Sequence, residues 1–156
     1  MTTRRTQRKN TVKKYPIIWL TGQSGSGKTT LAQAITRQMR AVVLDGDQMR
    51  ESISLGASMS KKDRIEHNYR VARLATVLAQ QMPVIVAVIA PYTVLRKEID
   101  KIAQPTWVYV KRTLPVTKDR PYEAPKKYGV LADSDVFSPD ENVAKVLGYL
   151  RGIDNS

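Results

Sequence analysis

At 156 residues, of which 42% are hydrophobic, the chain has the length of one globular domain and enough apolar content for a single core. It has no cysteine, which excludes a disulfide scaffold, thiol chemistry and thiolate metal ligation. Its formal charge is +12, and its longest apolar run, Val84 to Ala90, is far short of a membrane span; with no secretory signal, a cytoplasmic protein without membrane contact is expected.

Residues 1–14 carry Arg4, Arg5, Arg8, Lys9, Lys13 and Lys14 with no acid, which is half of the net charge. So few apolar residues predict a basic, disordered tail, either a solvated extension or an arm that contacts the phosphates of a nucleic acid. Residues 15–156 are expected to form one domain.

Tyr15 to Leu20 is an apolar run suited to a buried parallel strand, and Thr30 to Arg37 has helical spacing. Between them lies Gly22-Gln23-Ser24-Gly25-Ser26-Gly27-Lys28-Thr29, a full match to the phosphate-binding loop G-x-x-x-x-G-K-[ST]. Glycines let the backbone N–H groups turn inward to phosphate oxygens. Lys28 is then the residue that reaches the β- and γ-phosphates, and the Thr29 hydroxyl is placed to ligate Mg²⁺. ATP and Mg²⁺ are the expected cofactors.

Ala41 to Leu44 predicts a second strand, which ends in Asp45-Gly46-Asp47, where open α/β sheets bind their ligands. Asp45 is assigned to the acceptor hydroxyl or the Mg²⁺ shell, with Asp47 in support. A long helix follows from Ser60, as N-cap with Asp63 at N3, to about Gln81. Val84 to Ala90, apolar on both faces, predicts a central strand. A helix from Thr93 to about Ile102 and a strand at Thr106 to Val110 come next. The proline- and charge-rich stretch from Thr113 to Gly129 reads as an excursion over the active-site edge. Val130 to Ala132 predicts the last strand, and Ser138-Pro139-Asp140-Glu141 opens a closing helix through Leu150. Alternating strands and helices mean a parallel sheet covered on both faces.

Three further stretches carry a resemblance to a family. Asp45-Gly46-Asp47-Gln48-Met49-Arg50, Asp63 to Arg70, and Pro121-Tyr122-Glu123-Ala124-Pro125 resemble the D-G-D-N-x-R, D-R-x-E-N-x-R-R and P-Y-E-A-P motifs of adenylylsulfate (APS) kinases, in that family's order, over about residues 16 to 150. The resemblance implies a P-loop kinase: a three-layer α/β/α fold on a five-stranded, mainly parallel sheet that moves the ATP γ-phosphate to a hydroxyl of APS or a related nucleotide-like small molecule. It implies ATP binding by Gly22 to Thr30, including Thr30 itself, and by Arg120. Lys28 and Asp45 become the catalytic pair, with Thr29 and Asp45 on Mg²⁺. Arg50 and Arg64 match positions that hold the acceptor's anionic end, and Asp47, His67 and Asn68 complete the acceptor side.

Departures from the family pattern fall on that acceptor side. Arg120 runs directly into Pro121, so the family's long lid is missing. No aromatic stands at Ala57 to Met59, where an adenine-stacking ring is expected, and His67 replaces the family's asparagine, with Asn68 one step later. Two alternatives follow: a kinase acting on a nucleic-acid or modified-base hydroxyl, motivated by the lost lid and the basic tail, or a nucleotide-binding module without turnover. A homodimer is a further expectation.

Overall fold

The computed structural model describes residues 13–154, so the predicted basic tail lies outside the described residues except for its last two positions. Of those, Lys13 donates through Nζ to the backbone oxygens of Ala103, at 3.2 Å, and of Gln104. This places a cation on the free carbonyls at a helix C-terminus.

The elements run β1 (Ile17–Thr21), α1 (Lys28–Thr36), β2 (Val42–Asp45), α2 (Gly46–Glu51), α3 (Lys61–Leu78), β3 (Val84–Ala87), α4 (Thr93–Ala103), β4 (Thr106–Lys111), β5 (Val130–Asp133) and α5 (Pro139–Asp154). The five strands form one sheet in the order β2-β3-β1-β4-β5, with every neighbouring pair parallel. Side chains alternate across it. Ile17 and Trp19 of β1, with Val84 and Val86 of β3, pack against Val71 and Ala75 of α3 and Leu95 and Ile99 of α4. Ile18 and Leu20, with Ile85 and Val108, face Leu31 and Ile35 of α1 and Val143 and Val146 of α5. The three layers inferred from the sequence are therefore present.

Caps explain where two helices begin. Ser60 Oγ accepts from Asp63 N at 3.2 Å to start α3. At α5, Ser138 Oγ accepts from Glu141 N at 3.2 Å while Glu141 Oε1 accepts from Ser138 N at 3.0 Å, a reciprocal capping box.

The apolar run ending at Ala90 pairs as a strand only to Ala87. Beyond that, backbone oxygens leave the ladder for side chains: Trp19 Nε1 donates to Val88 O at 3.0 Å and Thr21 Oγ1 to Ile89 O at 2.6 Å. Ala90 then takes a left-handed φ of 49°, which turns the chain toward α4. That turn creates one wall of the site.

Candidate active site

Strands β1, β2 and β3 end at the same edge of the sheet, and the loops leaving them surround a cleft of about 800 Å³. The Gly22–Thr29 loop forms its floor. Gly22 cannot carry a side chain, because a Cβ there falls 2.4 Å from Val110 O. Gly27 is the N-cap of α1 at a φ of 104°, a conformation in which larger residues are strained.

No side chain caps α1, and its first turn contains no acid. This is the opposite of α3 and α5, whose first amides are occupied by their own residues. Helix α1 thus presents unpaired N–H donors and the positive end of its dipole to the cleft, a combination that favours phosphate. Lys28 is buried and donates from Nζ to Gly22 O at 2.8 Å and Gln23 O at 2.7 Å. Burial pulls its pKa down to about 8, against the opposing pull of Asp45 and Asp47. Thr29 Oγ1 donates to Asp45 Oδ2 at 2.8 Å, which leaves the hydroxyl lone pairs free. The other carboxylate oxygen, Oδ1, accepts from Asp47 N at 3.1 Å and caps α2.

The predicted residues Gln23, Ser24, Gly25, Gly27, Lys28, Thr29 and Thr30 line this cleft together with Asp45, Asp47, Arg50, Arg64, His67, Asn68 and Arg120. Gly22 and Ser26 do not. Gly22 supports the loop from below, and the fully buried Ser26 has a hydroxyl oxygen without a hydrogen-bond partner among the described residues. Arg50 and Arg64 converge on one side, and burial followed by the charge of Arg64 lowers the pKa of Arg50. Two adjacent guanidinium groups of this kind favour an anion between them.

His67 is buried, with Nδ1 2.8 Å from Ser54 Oγ. Desolvation, then Arg50 and Arg70, push its pKa down to about 4, which keeps the ring neutral at physiological pH. Asn68 donates from Nδ2 to Arg64 O at 2.7 Å, while its buried Oδ1 has no partner among the described residues.

Arg112 was not foreseen as a contributor, whereas the excursion expected from Thr113 to Gly129 does run along the cleft edge. Arg112 follows β4, lines the cleft and donates to Gly25 O at 3.0 Å. Its signal was a basic pair at the carboxyl end of a strand. The short stretch from Leu114 to Arg120 straps across the edge of the cleft: Gln23 Nε2 donates to Pro115 O at 3.2 Å, and Arg64 Nη2 donates to Asp119 O at 3.1 Å. Pro121 to Pro125 acts as a clasp behind it. Glu123 Oε1 accepts from Thr93 N at 2.8 Å and so caps α4, Glu123 N donates to Pro91 O at 2.8 Å, and Tyr122 OH lies 3.0 Å from Thr21 Oγ1. Buried Arg96 closes the same clasp on Ala90 O at 2.7 Å.

The chemistry that this arrangement suits is phosphoryl transfer, which needs a phosphate cradle, positioning and charge stabilisation. Comparison with known proteins agrees. A family described as adenylylsulphate kinase matches residues 14–130. The adenylyl-sulfate kinase of Deinococcus deserti is 32% identical over 163 residues, covering 86% of this chain and 90% of that protein. That of Myxococcus xanthus is 33% identical over 167 residues with the same coverage, 86% and 90%. The Mycobacterium tuberculosis APS kinase, solved in complex with AMPPNP and APS, superposes with a TM-score of 0.79 at 27% identity, covering 90% of this chain and 99% of that one.

Proposed function

Because the chain belongs to the adenylylsulphate kinase family and is an ATP-dependent kinase, we propose that it moves the ATP γ-phosphoryl group to a hydroxyl of APS or a related anionic, nucleotide-like acceptor. The observation that supports this best is that two groups of positive charge line one cleft. Lys28 with the uncapped start of α1 suits the donor phosphates, and the Arg50–Arg64 pair suits the acceptor's anion.

The acceptor hydroxyl oxygen forms a bond to the γ-phosphorus as the bridging bond to the β-phosphate breaks, and ADP leaves with the electron pair. The hydroxyl proton passes to the Asp45 carboxylate, which already accepts from Thr29 and Asp47 N. Lys28 exchanges its carbonyl partners Gly22 and Gln23 for phosphate oxygens. Arg112 and Arg120 add positive charge on the donor side. Thr29 and Asp45 offer hard oxygen ligands that suit Mg²⁺. When bound, that ion neutralises charge on the β- and γ-phosphate oxygens.

ADP release measured with Mg²⁺ and ATP, with and without APS, on wild type and Asp45→Asn tests the reading. Acceptor-dependent ADP release that falls by about 10²–10⁴ in Asp45→Asn is expected. ATP binding with no acceptor dependence, across APS and a panel of phosphorylated alcohols, sinks it.

A further inference from the structure

Among the described residues the cleft is lined by polar, charged and aliphatic side chains, four arginines and one histidine included, but by no phenylalanine, tyrosine or tryptophan. Residues 1–12 and 155–156 contain none either. A purine or pyrimidine in this cleft therefore has no aromatic face on which to stack. The acceptor side offers a different kind of contact.

Asn68 is oriented by chemistry: only its NH₂ can donate to the Arg64 carbonyl, so Oδ1 is left as a pure acceptor, buried and unpaired among the described residues. Buried carbonyl oxygens in folded proteins are normally matched by a donor. His67, the preceding residue of α3, supplies the complement. Arg70 donates to Ser54 Oγ at 3.3 Å, and an arginine cannot accept, so the buried Ser54 hydroxyl proton finds its acceptor at His67 Nδ1. With Ser54 as the donor the ring proton lies on Nε2, which has no hydrogen-bond partner among the described residues. One acceptor and one donor thus stand on consecutive residues beside the Arg50–Arg64 pair, all four lining the cleft.

We propose that Asn68 Oδ1 and His67 Nε2–H form a hydroxyl-reading site, and that the acceptor is a phosphorylated polyol, a sugar-phosphate-like alcohol held by charge and hydrogen bonds rather than by a stacked base. A polyol hydroxyl donates to Asn68 and accepts from His67, its phosphate sits on Arg50 and Arg64, and a neighbouring hydroxyl is presented to Asp45. This inference rests on the kinase reading and goes beyond its nucleotide-like acceptor, since a phosphorylated polyol carries no base.

The test uses the full chain with Mg²⁺ and ATP, and compares ADP release with ribose 5-phosphate, glucose 6-phosphate, glycerol 3-phosphate, APS and neutral ribose. At least one phosphorylated polyol is expected to exceed APS in kcat/KM by tenfold or more, with neutral ribose inactive. Asn68→Leu is expected to raise that polyol's KM by about tenfold while the KM for ATP stays put. Because His67 is the only histidine, its ¹⁵N signals are assigned without ambiguity. They are expected to report the Nε2–H tautomer and to shift when the polyol phosphate binds. Met59, exposed at the cleft, gives a variant with little folding risk: Met59→Phe supplies a stacking face and should improve APS about tenfold without helping the polyol. Turnover of APS above every polyol, an Nδ1–H tautomer, or an unchanged polyol KM in folded Asn68→Leu overturns the inference and leaves the kinase reading standing. Failure of every acceptor, APS included, overturns both.

Discussion

The donor and acceptor halves of the cleft are built from different materials. On the donor side the working atoms belong mostly to the backbone: the free amides of α1, the carbonyls of Gly22 and Gln23 that hold Lys28, and glycines fixed by close approach or a left-handed φ. On the acceptor side they are side chains: His67 rests on the Ser54 hydroxyl, and Arg50, Arg64 and Asn68 reach out from the backbone oxygens of Ser58, Asp119 and Arg64. A backbone cradle fits any triphosphate and tolerates no change of its own. A side-chain lattice can be rebuilt around a new acceptor without disturbing the fold. The departures read from the sequence, with Arg120 running directly into Pro121 and no aromatic at Ala57 to Met59, fall on that side.

The contrast makes graded predictions. Lys28→Ala should have the largest effect, lowering kcat/KM for ATP by about 10²–10³ in steady-state assays, because a preorganised charge is removed from the phosphates. Arg64→Ala should act on the other side alone: the acceptor KM rises by roughly 10–100-fold, the loss of a hydrogen bond to a charged group, while ATP affinity measured by calorimetry is unchanged.

A pH titration separates the halves further. With the Lys28 pKa lowered to about 8 in the free protein, the ammonium that ATP requires must be regained above that pH, so ATP affinity should fall by up to about tenfold per unit beyond it. Stability moves the other way. An unfolded lysine titrates near 10.5, so between about 8 and 10.5 the unfolded chain binds more protons, and the Lys28 contribution to stability rises with pH across that window. Its partner on the acceptor side is silent: His67, held near 4, adds no step of its own between pH 5 and 8, so a step in acceptor binding there belongs to the acceptor's phosphate. Opposite trends in ATP affinity and melting temperature, both absent in Lys28→Gln, are the signature to look for.

The smallest effect is expected behind the acceptor wall. Glu123→Ala removes the cap of α4, and about 0.5–2 kcal/mol of stability should be lost in denaturant titrations, with ATP affinity retained.

What could be read from the sequence follows the same line. The phosphate loop, the sheet layers and the starts of α3 and α5 were legible because each rests on local rules: glycine conformations, alternating apolar residues, and Ser-x-x-Asp or Ser-x-x-Glu caps. The start of α1 at Lys28 was placed two residues late, since its cap is a glycine in a left-handed conformation rather than a side chain. The strand expected through Ala90 was too long because Trp19 and Thr21, nearly seventy residues earlier, draw off its last carbonyls. Arg112 on the loop, Glu123 on α4 and Ser54 under His67 were not legible as site supports, for their partners lie 87, 30 and 13 residues away. Long-range hydrogen bonds of that kind leave no periodic trace.

The most direct experiment pairs two quantities on Asp45→Asn: ATP affinity by calorimetry without Mg²⁺, where the assigned metal ligand does not enter, and transfer of labelled γ-phosphate from ATP to the acceptor with Mg²⁺. If the donor cradle is a backbone device and Asp45 serves the acceptor hydroxyl, affinity should stay within a few-fold of wild type while transfer falls by about 10²–10⁴. Transfer that persists in the variant, or that is absent from the wild type with every acceptor, would contradict the account.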